Sequence, residues 1–82
     1  MENTGTIEER VIGVILEECP YLTRDEIVRG SFLKEDLRID ELDRLELVMA
    51  IEDEFGIQIT DAEVESCITV GNCIDLVNKK LA

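Results

Sequence analysis

The chain has 82 residues, 45% of them apolar, and a formal net charge of −12. That length suits one domain over 1–82, near the lower limit for a core that holds without staples, with residues 1–5 read as a flexible N-terminus. The apolar content excludes a disordered acidic tail, and the charge excludes nucleic acid as a partner, because phosphates would be repelled and no basic stripe exists to collect them.

The first predicted helix lies in TGTIEERVIGVILEEC. Thr6 and Glu9 have the spacing of a capping box, and Ile7, Val11, Val14 and Ile15 recur at helical intervals. Cys19-Pro20 ends it, since proline disfavours an α conformation in the residue before it. A long connection from Tyr21 to Ile39 follows. Thr23 offers a start for one short turn, and Phe32, Leu33 and Leu37 in an otherwise polar segment predict that this loop packs onto the core.

The second helix is expected from Glu41 to Phe55, with Asp40 as N-cap and Gly56 as the stop. It carries two apolar stripes. Leu47, Ile51 and Phe55 are spaced by four and form one; Leu42, Leu45 and Met49 form another, ringed by Asp43, Glu46, Glu52 and Asp53. One stripe is enough to join a core, so the second is available to a partner. A short extended piece, IQIT, leads to a brief third helix capped by Thr60 or Asp61. The fourth helix starts at Thr69 and presents Val70, Cys73, Ile74, Val77 and Leu81, with Lys79 and Lys80 at the favourable end of its dipole. No segment alternates long enough to make a sheet. The expected fold is all-α, a small bundle of three main helices plus one short helix.

Acid is concentrated in the middle of the chain: between Asp36 and Glu65 eleven acids face only Arg38 and Arg44, a net of −9. A face of that kind steers towards basic patches on other proteins. Three cysteines, Cys19, Cys67 and Cys73, with no Cys-x-x-Cys spacing and no histidine, predict reduced thiols rather than a disulfide framework or a zinc site. A calcium loop fails as well, because Asp36 and Asp40 have Arg38 between them and lack the required glycine. No metal site is expected. No apolar run has membrane-spanning length and no signal-peptide pattern opens the chain, so a cytoplasmic monomer without membrane insertion is expected. An enzyme is the least expected class: there is no histidine, no nucleophile–base pair and no phosphate-cradling loop.

Four segments, TIEERV, SFLKEDL, LDRLELVMAIEDEFGIQI and TVGNCIDLV, resemble the acyl carrier proteins in order and spacing, from Thr6 to about Val77. The resemblance implies an acyl-carrier-like bundle in fatty-acid or polyketide biosynthesis, carrying acyl chains as thioesters on a phosphopantetheine arm. In that family the arm is attached to the serine of an Asp-Ser-Leu motif. Here the motif reads Asp40-Glu41-Leu42, and Arg38 stands where the family usually has glycine. Attachment needs a hydroxyl oxygen to attack the pyrophosphate of coenzyme A, and the mixed anhydride a carboxylate would form hydrolyses readily. Phosphopantetheine is therefore not expected on Glu41. Ser31 and Ser66, the other serines, lack the motif around them.

Three readings of Glu41 stay open at this level: an acid favoured by the helix dipole, a stand-in for the negative phosphodiester, or an introduced change. By resemblance, partner enzymes and a phosphopantetheinyl transferase would meet Leu42, Asp43, Leu45, Glu46, Met49, Glu52 and Asp53. An acyl pocket would be lined by Phe32, Leu47, Ile51, Ile59, Val64, Cys67, Cys73 and Leu76. The alternative is a non-carrier interaction module that keeps the fold and acidic face to regulate or scaffold a synthase-type enzyme.

Overall fold

A computed structural model describes residues 6–82; the expectation for 1–5 lies outside them. Four α-helices follow one another, α1 (Ile7–Glu18), α2 (Glu41–Phe55), α3 (Asp61–Ser66) and α4 (Val70–Leu81), with a single 3-10 turn at Arg24–Glu26 between the first two. The bundle is all-α, as expected. Among the described residues the one β pairing is an isolated antiparallel bridge between Phe32 and Thr69.

The caps explain where the helices begin. Thr6 Oγ1 accepts from Glu9 N–H at 3.1 Å while Glu9 Oε1 accepts from Thr6 N–H at 3.2 Å, a reciprocal pair that satisfies two otherwise orphaned donors. Thr60 and Glu63 repeat the arrangement on α3, which settles the cap there as Thr60. Thr69 and Asn72 do the same for α4, with the asparagine amide oxygen in place of a carboxylate. Asp40 caps α2 by accepting from Asp43 N–H at 2.9 Å. The stop after α2 is Gly56 at φ 65, a left-handed conformation that glycine adopts without penalty.

The core is aliphatic and draws on α1, α2, α4 and the segments that connect the helices. Val11 and Ile15 of α1, Leu47 and Ile51 of α2, and Ile74 and Val77 of α4 are buried against one another. The connection after α1 packs with them: Leu22, Ile27, Leu33, Leu37 and Ile39 are all buried. Its backbone is fastened beside the start of α4. Leu33 N–H donates to Ile68 O at 2.9 Å, Val70 N–H to Ser31 O at 3.0 Å and Gly71 N–H to Arg29 O at 2.9 Å. A Cβ on Gly71 would lie 3.1 Å from that Arg29 oxygen, a tight contact that the Arg29 backbone would have to relieve by shifting a few tenths of an ångström.

Two side chains depart from the expected core. Phe32 is 45% exposed, because Ser31 and Leu33 on either side of it take the inward positions. Leu81 is also 45% exposed, at the last turn of α4 where the bundle no longer covers it. Ser31 is buried instead; its hydroxyl donates to Glu26 O at 2.9 Å and accepts from Val28 N–H at 3.1 Å. That pair of bonds removes the cost of burying an unpartnered hydroxyl.

Candidate functional site at the head of the second helix

Glu41 is the first residue of α2 and is exposed. It stands in the first turn with Asp43, where the partial positive charge of the unsatisfied amides favours acids. The loop leading to it is held firmly. Ile39 N–H donates to Leu33 O at 2.8 Å, and Tyr21 Oη donates to Leu37 O at 2.9 Å. Between loop and helix lies a cleft of about 230 Å³, with Leu33, Ile39 and Ile68 as apolar walls and Lys34, Glu41 and Arg44 as charged ones. Arg44 Nε is buried beside it and has no hydrogen-bond partner among the described residues.

The arm implied by resemblance does not fit the groups found here. A carboxylate, not a hydroxyl, stands at the head of α2. Ser31 is buried and committed to Glu26 and Val28, and Ser66 Oγ donates to Glu63 O at 2.8 Å at the end of α3.

The two stripes of α2 separate as expected. Leu42, Leu45 and Met49 are 66%, 46% and 57% exposed, whereas Leu47 and Ile51 are buried. Val48, absent from the expected core, is buried too. Its signal was the i, i+3, i+7 series Val48, Ile51, Phe55. Positions 42, 46, 49 and 53 recur by four and three, so Glu46 and Asp53 share one exposed face with Leu42 and Met49. Glu52 is different. It is half-buried, and its Oε2 accepts from Ile59 N–H at 2.7 Å, so its carboxylate fastens the chain after α2 instead of standing free.

Of the eight residues expected to line an acyl pocket, Leu47, Ile51, Cys67 and Cys73 are core, while Ile59, Val64 and Leu76 are half-buried. Phe32 faces outward. The cleft at the head of α2 is lined by none of the eight. Sequence reading missed its apolar walls because Leu33 and Ile68 are brought together by a backbone hydrogen bond between remote segments, which no local pattern announces.

The thiols are buried and free. Cys67 lies below the usual thiol range because the Cys73 thiol hydrogen-bonds to it, an effect that outweighs its burial and is aided by the Arg44 charge. Cys73 is pushed up correspondingly by the same contact and by burial. Among the described residues no cluster of three or more His, Cys, Asp or Glu could hold a metal ion, and no helix is long and apolar enough to cross a membrane.

A family model described as "Phosphopantetheine attachment site" matches residues 9–77. The chain is also similar to an acyl carrier protein of Thermosynechococcus vestitus, 38% identical over 80 residues that cover 98% of each chain. Proteins of this kind normally carry phosphopantetheine and serve as carriers, not catalysts, and the chain is not an enzyme. It belongs to the phosphopantetheine-attachment family, that of the acyl carrier proteins.

Proposed function

We propose that the chain is a cytoplasmic, monomeric carrier-type domain of fatty-acid or polyketide biosynthesis that meets acyl-processing enzymes through α2 but is not primed at Glu41. The observation that carries this reading is the exposed stripe of Leu42, Leu45 and Met49 set among Asp43, Glu46 and Asp53, beginning one residue after Glu41. In a family that takes its arm at the head of this helix, such a stripe is suited to a basic enzyme patch: the acids steer and the apolar side chains supply the contact. A contact of this size is weak and fast, as a shuttle needs.

The same stripe supports the second reading, an interaction module, because Glu41 removes the nucleophile and leaves the surface. Intact-mass measurement after incubation with coenzyme A and a broad-specificity phosphopantetheinyl transferase decides between blocked carrier and diverged module. Glu41→Ser is expected to gain one phosphopantetheine and the unaltered chain none. A gain by the unaltered chain overturns the reading; no gain by either leaves the module in the lead.

A further inference from the structure

We infer that the unaltered chain is a dead-end analogue of carriers for the phosphopantetheinyl transferase, occupying the enzyme's carrier-binding surface without accepting the arm; this rests on the reading just given. Transfer requires a carrier hydroxyl to form a new O–P bond to the pantetheine phosphate of coenzyme A. The pyrophosphate P–O bond breaks, adenosine 3′,5′-bisphosphate leaves, and the hydroxyl proton passes to a base. An enzyme that recognises its carrier before this step binds the surface around the serine, not the hydroxyl alone.

The chain presents that surface in order. Asp40 holds the first turn of α2 closed through Asp43 N–H at 2.9 Å, so the motif starts as helix. Glu41 is exposed at its first position, and Leu42, Leu45 and Met49 follow at 66%, 46% and 57% exposure. The loop before it is fixed by the Leu33–Ile39 and Tyr21–Leu37 hydrogen bonds, so the approach costs little ordering on binding. Neither serine stands ready to replace the missing one, because the Ser31 hydroxyl is buried and both serine hydroxyls donate to backbone carbonyls. A ligand that binds where the substrate binds and cannot react competes with it, raising KM and leaving kcat alone.

The test adds the unaltered chain to a transferase reaction containing coenzyme A and a second carrier with an intact Asp-Ser-Leu motif. The apparent KM for that carrier is expected to rise in proportion to the chain's concentration, with kcat unchanged. The Glu46→Lys/Asp53→Lys double variant, whose two sites are exposed and leave the core untouched, is expected to lose the effect while keeping the helical circular-dichroism spectrum. Glu41→Ser is expected to turn from competitor into substrate. If Glu41→Ser is primed but the unaltered chain does not compete, the inference fails and the carrier reading stands. If Glu41→Ser is not primed and the chain does not compete, both fail. Competition that survives the double charge reversal also overturns the inference, because it would not act through α2.

Discussion

Tyr21 and Arg38 hold each other in place across the loop that delivers α2. The tyrosine hydroxyl donates to Leu37 O at 2.9 Å, and the Arg38 guanidinium lies 5.4 Å from the centre of the Tyr21 ring. Arg38 needs the help. Its φ is 58, a left-handed conformation that costs a residue with a Cβ about 1–2 kcal/mol and that glycine adopts freely. The family's usual glycine at this position has a backbone reason, and Arg38 meets it by stacking and by the tyrosine clamp. Tyr21→Phe is expected to lower stability by about 1 kcal/mol through the lost hydrogen bond. Arg38→Gly is expected to stay within about 1 kcal/mol of the parent, because relief of strain offsets the lost stacking and the added freedom of the unfolded chain. Arg38→Val, β-branched and without a stacking partner, is expected to cost about 2 kcal/mol. Urea unfolding of the three variants checks the order; a valine variant as stable as the glycine one would remove the strain argument.

The stripes of α2 differ sharply in what they contribute to stability. Leu47 is fully buried in the aliphatic core, so Leu47→Ala is expected to cost about 2–5 kcal/mol, enough to leave a chain of this size marginal or unfolded. Leu45→Ala, two residues away and 46% exposed, is expected to change stability by less than about 0.5 kcal/mol. Thermal melts of both variants give the comparison. A large loss at Leu45 would mean that the second stripe serves the fold and is not free for a partner.

Helix starts and stops were legible because their causes are local. Thr6 and Glu9, Asp40 and Gly56 each act within four residues of where they stand, and the structure finds each at its expected post; of the two caps open for α3, Thr60 or Asp61, it takes Thr60. The two stripes of α2 were legible for the same reason. What the sequence did not yield depends on remote segments. Phe32 and Leu33 are neighbours of similar hydropathy, and only the pairing of 29–33 with 68–71 decides that leucine turns in and phenylalanine out. Glu52 looks like its acidic neighbours until the chain after Gly56 folds back and gives it Ile59 N–H to hold. The cleft at the head of α2 is likewise a product of tertiary packing.

Arg44 is the one cation of α2, and its Nε is buried without an acceptor among the described residues. A buried donor left unpaired costs about 1–3 kcal/mol, whereas a thioether of similar length packs there without that penalty. Arg44→Met is therefore expected to be neutral or to stabilise by up to about 1 kcal/mol. A clear loss of stability in urea would show that the guanidinium contributes more by packing its stem than it costs through Nε.

Glu63 ties α3 to the end of α4 and makes part of the stability pH-dependent. Its Oε1 accepts from Lys80 Nζ at 2.8 Å and from Thr60 N–H at 2.9 Å. Lys80 first, and the Thr60 backbone second, bring its pKa from 4.5 down to about 2. A carboxyl depressed on folding binds its proton more readily in the unfolded chain. Its contribution is therefore fully present above the unfolded value of 4.5 and is lost as pH falls towards about 2. Acidification also relieves the self-repulsion of a chain carrying −12, which works in the opposite direction. The comparison that isolates Glu63 is the parent against Lys80→Met, each unfolded in urea at about pH 6 and about pH 3. The parent is expected to lose more stability between the two than the variant, because without Lys80 the folded carboxyl lies closer to its unfolded value and less remains to be lost. Equal losses in the two proteins would mean that the Thr60 cap alone sets the Glu63 titration and that the bridge to α4 contributes nothing measurable.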